Sequence, residues 1–283
     1  MKRLMFGVIA FMAMIILVGC GGEAEKLAAP EITRVNVNDT SSVKLTWTIA
    51  DSIKNHSDFS GYNVYVYLAA DSGTLKVEDG EDLQKNNPEV IDDTVYTVNG
   101  LKKDSIYAIQ VRTVNKDEKV GDYNHNQAFI LISPCPVFVK TVYIEWDNSD
   151  TSKVALHFST GEVKKRADIS TNWGDMWVDH RITGDTVFFQ SAWKADTTAG
   201  YRRTKLINIG KFDFDEKWVA TEPTKDVADN IKQGDLVFAK TVENNYVKIH
   251  VDSVYLDTVG TSWVKITYGY QNIPNLPNLI GRK

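Results

Sequence analysis

The side chains with most chemistry to offer are two cysteines, five histidines and a few neighbouring carboxylates. His157, His180 and His250 each sit inside a strand-like run. Neutral imidazole is a common ligand of haem iron, so two of these three converging would make haem a possible cofactor. Alone, each reads as an ordinary strand histidine. Asp213 and Asp215 are two apart and would share one face of a strand, able to act together or to hold calcium. A solvated edge or turn explains them as well. Asp147-Asn148-Ser149-Asp150 resembles half a calcium loop without its glycine and distal glutamate, and also suits a hairpin turn. Cys135 stands in Ser133-Pro134-Cys135-Pro136, as a reactive thiol or as an unpaired linker or edge residue. There is no nucleophile elbow, phosphate-cradling glycine loop or His-Glu-x-x-His motif. No catalytic residue is assigned, no metal set is named, and the chain is expected not to be an enzyme.

The N-terminus suggests where such chemistry would be displayed. Lys2 and Arg3 precede an apolar stretch, Leu4 to Val18, shorter than the roughly 20 residues of a membrane-spanning helix. It ends in Leu17-Val18-Gly19-Cys20, which resembles the lipobox of bacterial lipoproteins. That resemblance implies cleavage after residue 19, a diacylglycerol on the Cys20 sulfur and attachment to a membrane through lipid. Residues 20–29 then form a short tether. Glu23 and Glu25 resemble the acidic export signals of some surface lipoproteins. The cell envelope is the expected location, at the outer membrane or surface of a Gram-negative bacterium. The net charge is −5 and no basic tract occurs, which argues against a nucleic-acid partner.

Residues 30–134 read as short strands between turns. Val43, Leu45 and Trp47 alternate onto one face of Ser42–Thr48, and Gly61–Tyr67, Ser105–Arg112 and Asn126–Ile132 follow. Pro30, Trp47, Gly61-Tyr62-Asn63-Val64-Tyr65 and the stretch Leu101 to Arg112 resemble a fibronectin type III domain. The resemblance implies a β-sandwich in which Tyr107 is the corner tyrosine, bonded to the upstream backbone, with Trp47 and Leu101 beside it. Asp71–Asp93 is longer and more acidic than that family's middle strands and reads as a loop excursion, with Leu75–Val77 strand-like.

Residues 137–273 stay β-rich but hold six of the seven tryptophans, and 274–283 form a tail. Strands are expected at 137–146, 153–158, 175–182, 185–193, 205–212, 235–241, 246–254 and 262–270. Thr224–Lys232 is the one segment with a helical pattern. Along Tyr246–Val251, Val247, Ile249 and Val251 take one face and Tyr246, Lys248 and His250 a wet one. The tryptophans could line a ligand pocket or a sugar-stacking platform, or pack a core. The last strands, Gly234–Thr241, Asn245–Val251 and Val264–Gln271, resemble those of HmuY-type lipoproteins, a β-rich surface family with haem-scavenging members. Its histidine pair cannot be carried onto this sequence. The expected fold is all-β, a fibronectin type III sandwich followed by a second antiparallel β-rich domain. The expected role is non-catalytic binding or adhesion through the C-terminal domain, toward a small molecule, protein or glycan. Haem binding and an unrecognised hydrolase are the alternatives.

Overall fold

A computed structural model describes residues 26–37, 40–69, 85–124, 129–144, 153–181, 186–198, 200–217, 220–257 and 262–277. Cys20, the segment read as a signal and the start of the expected tether lie outside the described residues, as do Asp147–Asp150 and the strand expected at Leu75–Val77.

The regular structure of the described chain is nearly all β, arranged as four antiparallel sheets. One sheet holds β1 (Glu31–Val37), β2 (Val43–Thr48) and β4 (Val95–Val98). Its partner holds β3 (Phe59–Leu68), β5 (Tyr107–Asn115) and β6 (Ile130–Ile132). Alternation decides the core. Val43, Leu45 and Trp47 are buried while Lys44 and Thr48 are exposed. Val35 and Val98 from the first sheet meet Val64, Ile109 and Ile130 from the second. The Trp47 ring meets Tyr62 edge-on at 5.3 Å. Before β5 the chain bends, and the Lys102 N–H donates to the Tyr107 hydroxyl at 2.7 Å, with Leu101 buried nearby.

Two loose ends of this sandwich are tied down. The far end of the acidic excursion is anchored, because Asn87 is buried, accepts the Val64 N–H at 2.8 Å and donates to Asn63 Oδ1 at 2.9 Å. At the N-terminus Leu27 is buried, and its carbonyl accepts from Thr113 Oγ1 at 3.2 Å and from the Asp122 N–H at 2.8 Å. Gly121 permits that approach, since a Cβ there would stand 2.5 Å from the Leu27 oxygen.

The second pair of sheets has five strands each. One runs in the order β12 (Lys205–Lys211), β14 (Asp235–Lys240), β15 (Tyr246–Tyr255), β16 (Trp263–Tyr270), β7 (Val137–Tyr143). The other runs β13 (Val227–Ile231), β11 (Thr186–Ser191), β10 (Met176–Arg181), β8 (Lys153–His157), β9 (Glu162–Lys165). Their inner faces close on one core, with Leu156, Met176, Val178 and Phe189 against Val237, Val247, Ile249 and Ile266.

Three sequence expectations are corrected. Residues 227–231 form strand β13, not a helix. Ala228 pairs with Phe189 and Ile231 with Val187, so three steps of β13 oppose two of β11, with Asn230 at φ +56° in the extra step. Two residues three apart would face opposite sides of a regular strand. The irregularity turns both inward, so a bulged strand imitates helical spacing. Cys135 lies in the link between β6 and β7, but as a core residue rather than an edge residue, 1% exposed and in no disulfide among the described residues. The expected wet face of β15 is dry at Tyr246 and Lys248. One apolar cluster runs from the first sandwich through Cys135 to Leu236, Phe238 and Tyr246, joined by Phe212 and Phe214 from the strap after β12. Arg34 ties that strap to β1 through Asp215 at 3.3 Å, and Asn272 donates to Asp104 at 2.8 Å.

Candidate functional site

The three candidate histidines are not brought together. His157 ends β8 on the outward side, with Nδ1 3.1 Å from Ser159 Oγ and its ring 5.7 Å from that of Trp173. Met176 pairs with Leu156, so His157 stands opposite Asp175. His180 is five residues further along β10, roughly 17 Å away, and on the opposite face. His250 lies on the other sheet and points away from the shared core, since its neighbours Ile249 and Val251 point in. Its Nδ1 is 2.8 Å from Asp252 Oδ1. These three imidazoles therefore address three surfaces and form no coordinating pair. Among the described residues no cluster of histidine, cysteine and carboxylate side chains could hold a metal ion. Asp213 and Asp215 fall in a turn: the Asp213 N–H donates to Glu216, and Asp215 faces Arg34.

The outer face of the β12-β14-β15-β16-β7 sheet divides in two. Leu236, Phe238, Tyr246 and Lys248 lie under the strap and the first sandwich. Beyond His250 the face is open. Opposed residues of antiparallel strands point to the same side, so pairing gives its rungs directly. Val139, Thr267 and His250 form one rung, and Thr141, Lys265 and Ser253 the next. Tyr143, Trp263 and Tyr255 form the last. Tyr255 and Trp263 are stacked, with centroids 5.6 Å apart and planes 21° from parallel, and Tyr255 is 48% exposed. A register shift between Val251 and Ser253 turns Asp252 onto this face as well. Its carboxylate accepts from Thr267 Oγ1 at 2.8 Å and faces the His250 ring. Alternation alone would place Tyr143, Trp263 and Tyr255 on the polar side of their strands. Only the β16–β7 and β15–β16 pairings make them one row.

Two buried charged groups are structural in character. Lys248 is fully buried; its Nζ donates to the Phe214 carbonyl and, at 3.3 Å, to the Lys217 carbonyl, and lies 4.0 Å from the Phe214 ring centre. Burial pulls its ammonium down to about 7, and burial pushes the Cys135 thiol up to about 12. Asp175, just before β10, accepts from Arg202 Nε at 2.7 Å and from the Phe158 N–H at 2.8 Å, while Arg202 also donates to Glu243. Burial raises the Asp175 carboxyl against the pull of Arg202. The network links segments from both sheets at one end of the sandwich, with every charge paired.

Trp173 and Trp177 pack on the outer face of the other sheet, while Trp193 carries the Arg203 guanidinium 4.3 Å from its ring centre. Trp177 is 1% exposed and packs in a small cluster with Trp173 and Tyr201, so this face is largely sealed.

No curated protein sequence matches the chain. Similar solved structures are of a cycloalternan-degrading enzyme from Trueperella pyogenes. One is 11% identical, with 88% of this chain and 31% of that chain covered and a TM-score of 0.24. A second, described as a complex with a covalent intermediate, has 11% identity, 82% and 31% coverage and a TM-score of 0.22. A third, with cycloalternan, has 11% identity, 89% and 33% coverage and a TM-score of 0.23. The chain spans about a third of their length. Residues 28–122, the span that holds β1 to β5 of the first sandwich, match the family model of the Fibronectin type III domain.

Proposed function

We propose that the chain is a non-catalytic, lipid-anchored binding protein of a bacterial cell envelope. Lipid on Cys20 holds it to the membrane, the fibronectin type III domain acts as a scaffold, and the second sandwich presents the binding surface. The observation that carries this reading is the open half of the β12-β14-β15-β16-β7 sheet, where Tyr143, Trp263 and Tyr255 form a row beside Asp252, Thr267 and Lys265. Aromatic side chains on a rigid sheet give contact area at little entropic cost, which suits recognition. Haem held by a histidine pair is not the reading proposed, because the three imidazoles point to separate surfaces.

Two measurements test it. Metabolic labelling with a fatty-acid analogue should mark the wild type and not Cys20→Ser; equal labelling of both would exclude the anchor. Titration against haemin, oligosaccharides and a peptide mixture should find a ligand whose affinity drops on Trp263→Ala. Binding indifferent to changes at Trp263 and Tyr255 would move the site elsewhere.

A further inference from the structure

We infer that the open sheet face binds an uncharged oligosaccharide, whose rings lie along Tyr143, Trp263 and Tyr255 and whose hydroxyls reach the Asp252–Thr267–His250 group; this rests on the binding-face reading above. Sugars have a C–H face that packs on aromatic rings and a hydroxyl rim that needs donors and acceptors. The face supplies both in adjacent rungs. Tyr255 and Trp263 stack on one another within 21° of parallel, so each ring holds the other's orientation before a ligand arrives. Neighbouring strands are about 4.8 Å apart, so the three-residue row spans about 10 Å across the sheet, room for a chain of rings rather than one. Successive rungs on the same face are about 7 Å apart along the strands. The next rung brings the Thr141 and Ser253 hydroxyls and the Lys265 ammonium. The one after brings Asp252, each of whose oxygens has one protein donor or imidazole beside it and a lone pair to spare.

The same inventory argues against other ligands. A protein partner's core needs a contiguous apolar patch. Away from the aromatic row, these rungs expose one large apolar side chain, Val139 at 58%. An acidic polymer needs several cations, and here Lys265 stands alone with the Asp252 carboxylate on the same face.

The test is isothermal titration and tryptophan fluorescence of the full mature chain in detergent. The probes are cellohexaose, xylohexaose, mannohexaose and maltohexaose, with haemin and a peptide mixture in parallel. Saturable binding of at least one hexaose is expected, weakened about tenfold in Trp263→Ala and in Tyr255→Ala and restored to within about threefold in Trp263→Phe. Near-ultraviolet circular dichroism identifies any variant that has lost its fold; Tyr255, the more exposed ring, keeps the test open if Trp263→Ala does not fold. No hexaose binding up to about 5 mM, alongside haemin or peptide binding that depends on Trp263, would overturn the sugar and keep the face. Hexaose binding unchanged in both alanine variants would overturn the placement. No binding by any probe would overturn both.

Discussion

One sheet face carries two surfaces of opposite character. At Leu236, Phe238, Tyr246 and Lys248 it is dry; further along β15 and across to β16 and β7, at Ser253, Lys265 and Thr141, it is open. Alternation runs through both halves, with a shift at Asp252 in the open one. What differs is what returns to cover them: the strap with Phe212 and Phe214, and the first sandwich behind it. The covered half turns its polar groups inward, Lys248 onto two carbonyls and Tyr246 onto Glu222. The open half keeps its polar groups in side-chain pairs with capacity left for a ligand. The same pattern of residues becomes a core or a surface according to a distant segment.

The contrast can be broken by truncation. Phe238→Ala, in the covered half, should lower stability by about 3–5 kcal/mol in denaturant melts. A loss under about 1 kcal/mol would show that this half is not a core.

Titration gives the next effect. Lys248 sits near 7 in the folded chain against an ordinary 10.5, so between these values the unfolded chain binds more protons. Stability should therefore rise with pH above 7, by up to about 1.4 kcal/mol per unit. The buried Cys135 thiol acts oppositely. Its ordinary value is 9.0 and its folded value about 12, so above pH 9 the folded chain holds the extra proton and stability falls. The profile should climb from pH 7 to 9, level off to about 10.5 where the two effects cancel, and fall beyond. Lys248→Met should remove the climb and leave stability at pH 7 unchanged or higher. A climb that persists in this variant would place its origin elsewhere.

Smaller effects come from the corner and from the open half. Tyr107→Phe should cost about 1 kcal/mol, because the Lys102 N–H loses its acceptor. A melt identical to wild type would make that bond energetically idle. Tyr255→Ala should stay within about 0.5 kcal/mol of wild type, as an exposed position does. A larger loss would mean that the open half is also structural.

The all-β class was readable because burial follows local alternation, as at Val43, Leu45 and Trp47 or Val247, Ile249 and Val251. Most strands of the second sandwich fall where the apolar runs fall. Long-range partners were not readable. Nothing near Lys248 announces Phe214, thirty-four residues away, so a lysine in an alternating strand reads as wet. The helix expected at 224–232 failed because a bulge gives Ala228 and Ile231 the spacing of a helix face. Asp175 and Arg202 meet across 27 residues and have no motif. The row Tyr143, Trp263, Tyr255 depends on β7 pairing with β16, the first and last strands of that sandwich. Sequence shows the rings on outward positions and not that they are neighbours.

The burial of Leu27 has a mechanical meaning. Its carbonyl is fastened to Thr113 and Asp122, so the fold takes hold at Leu27 and not only at the first strand. With the lipid proposed on Cys20, seven residue steps would separate the anchor from Leu27, at most about 25 Å when taut. So short a link would confine the first sandwich near the bilayer and leave the domain's own length to set how far the open sheet face stands from the membrane. A pull on the anchor would load the Leu27 contacts before the β1–β2 ladder, making them the first point to yield.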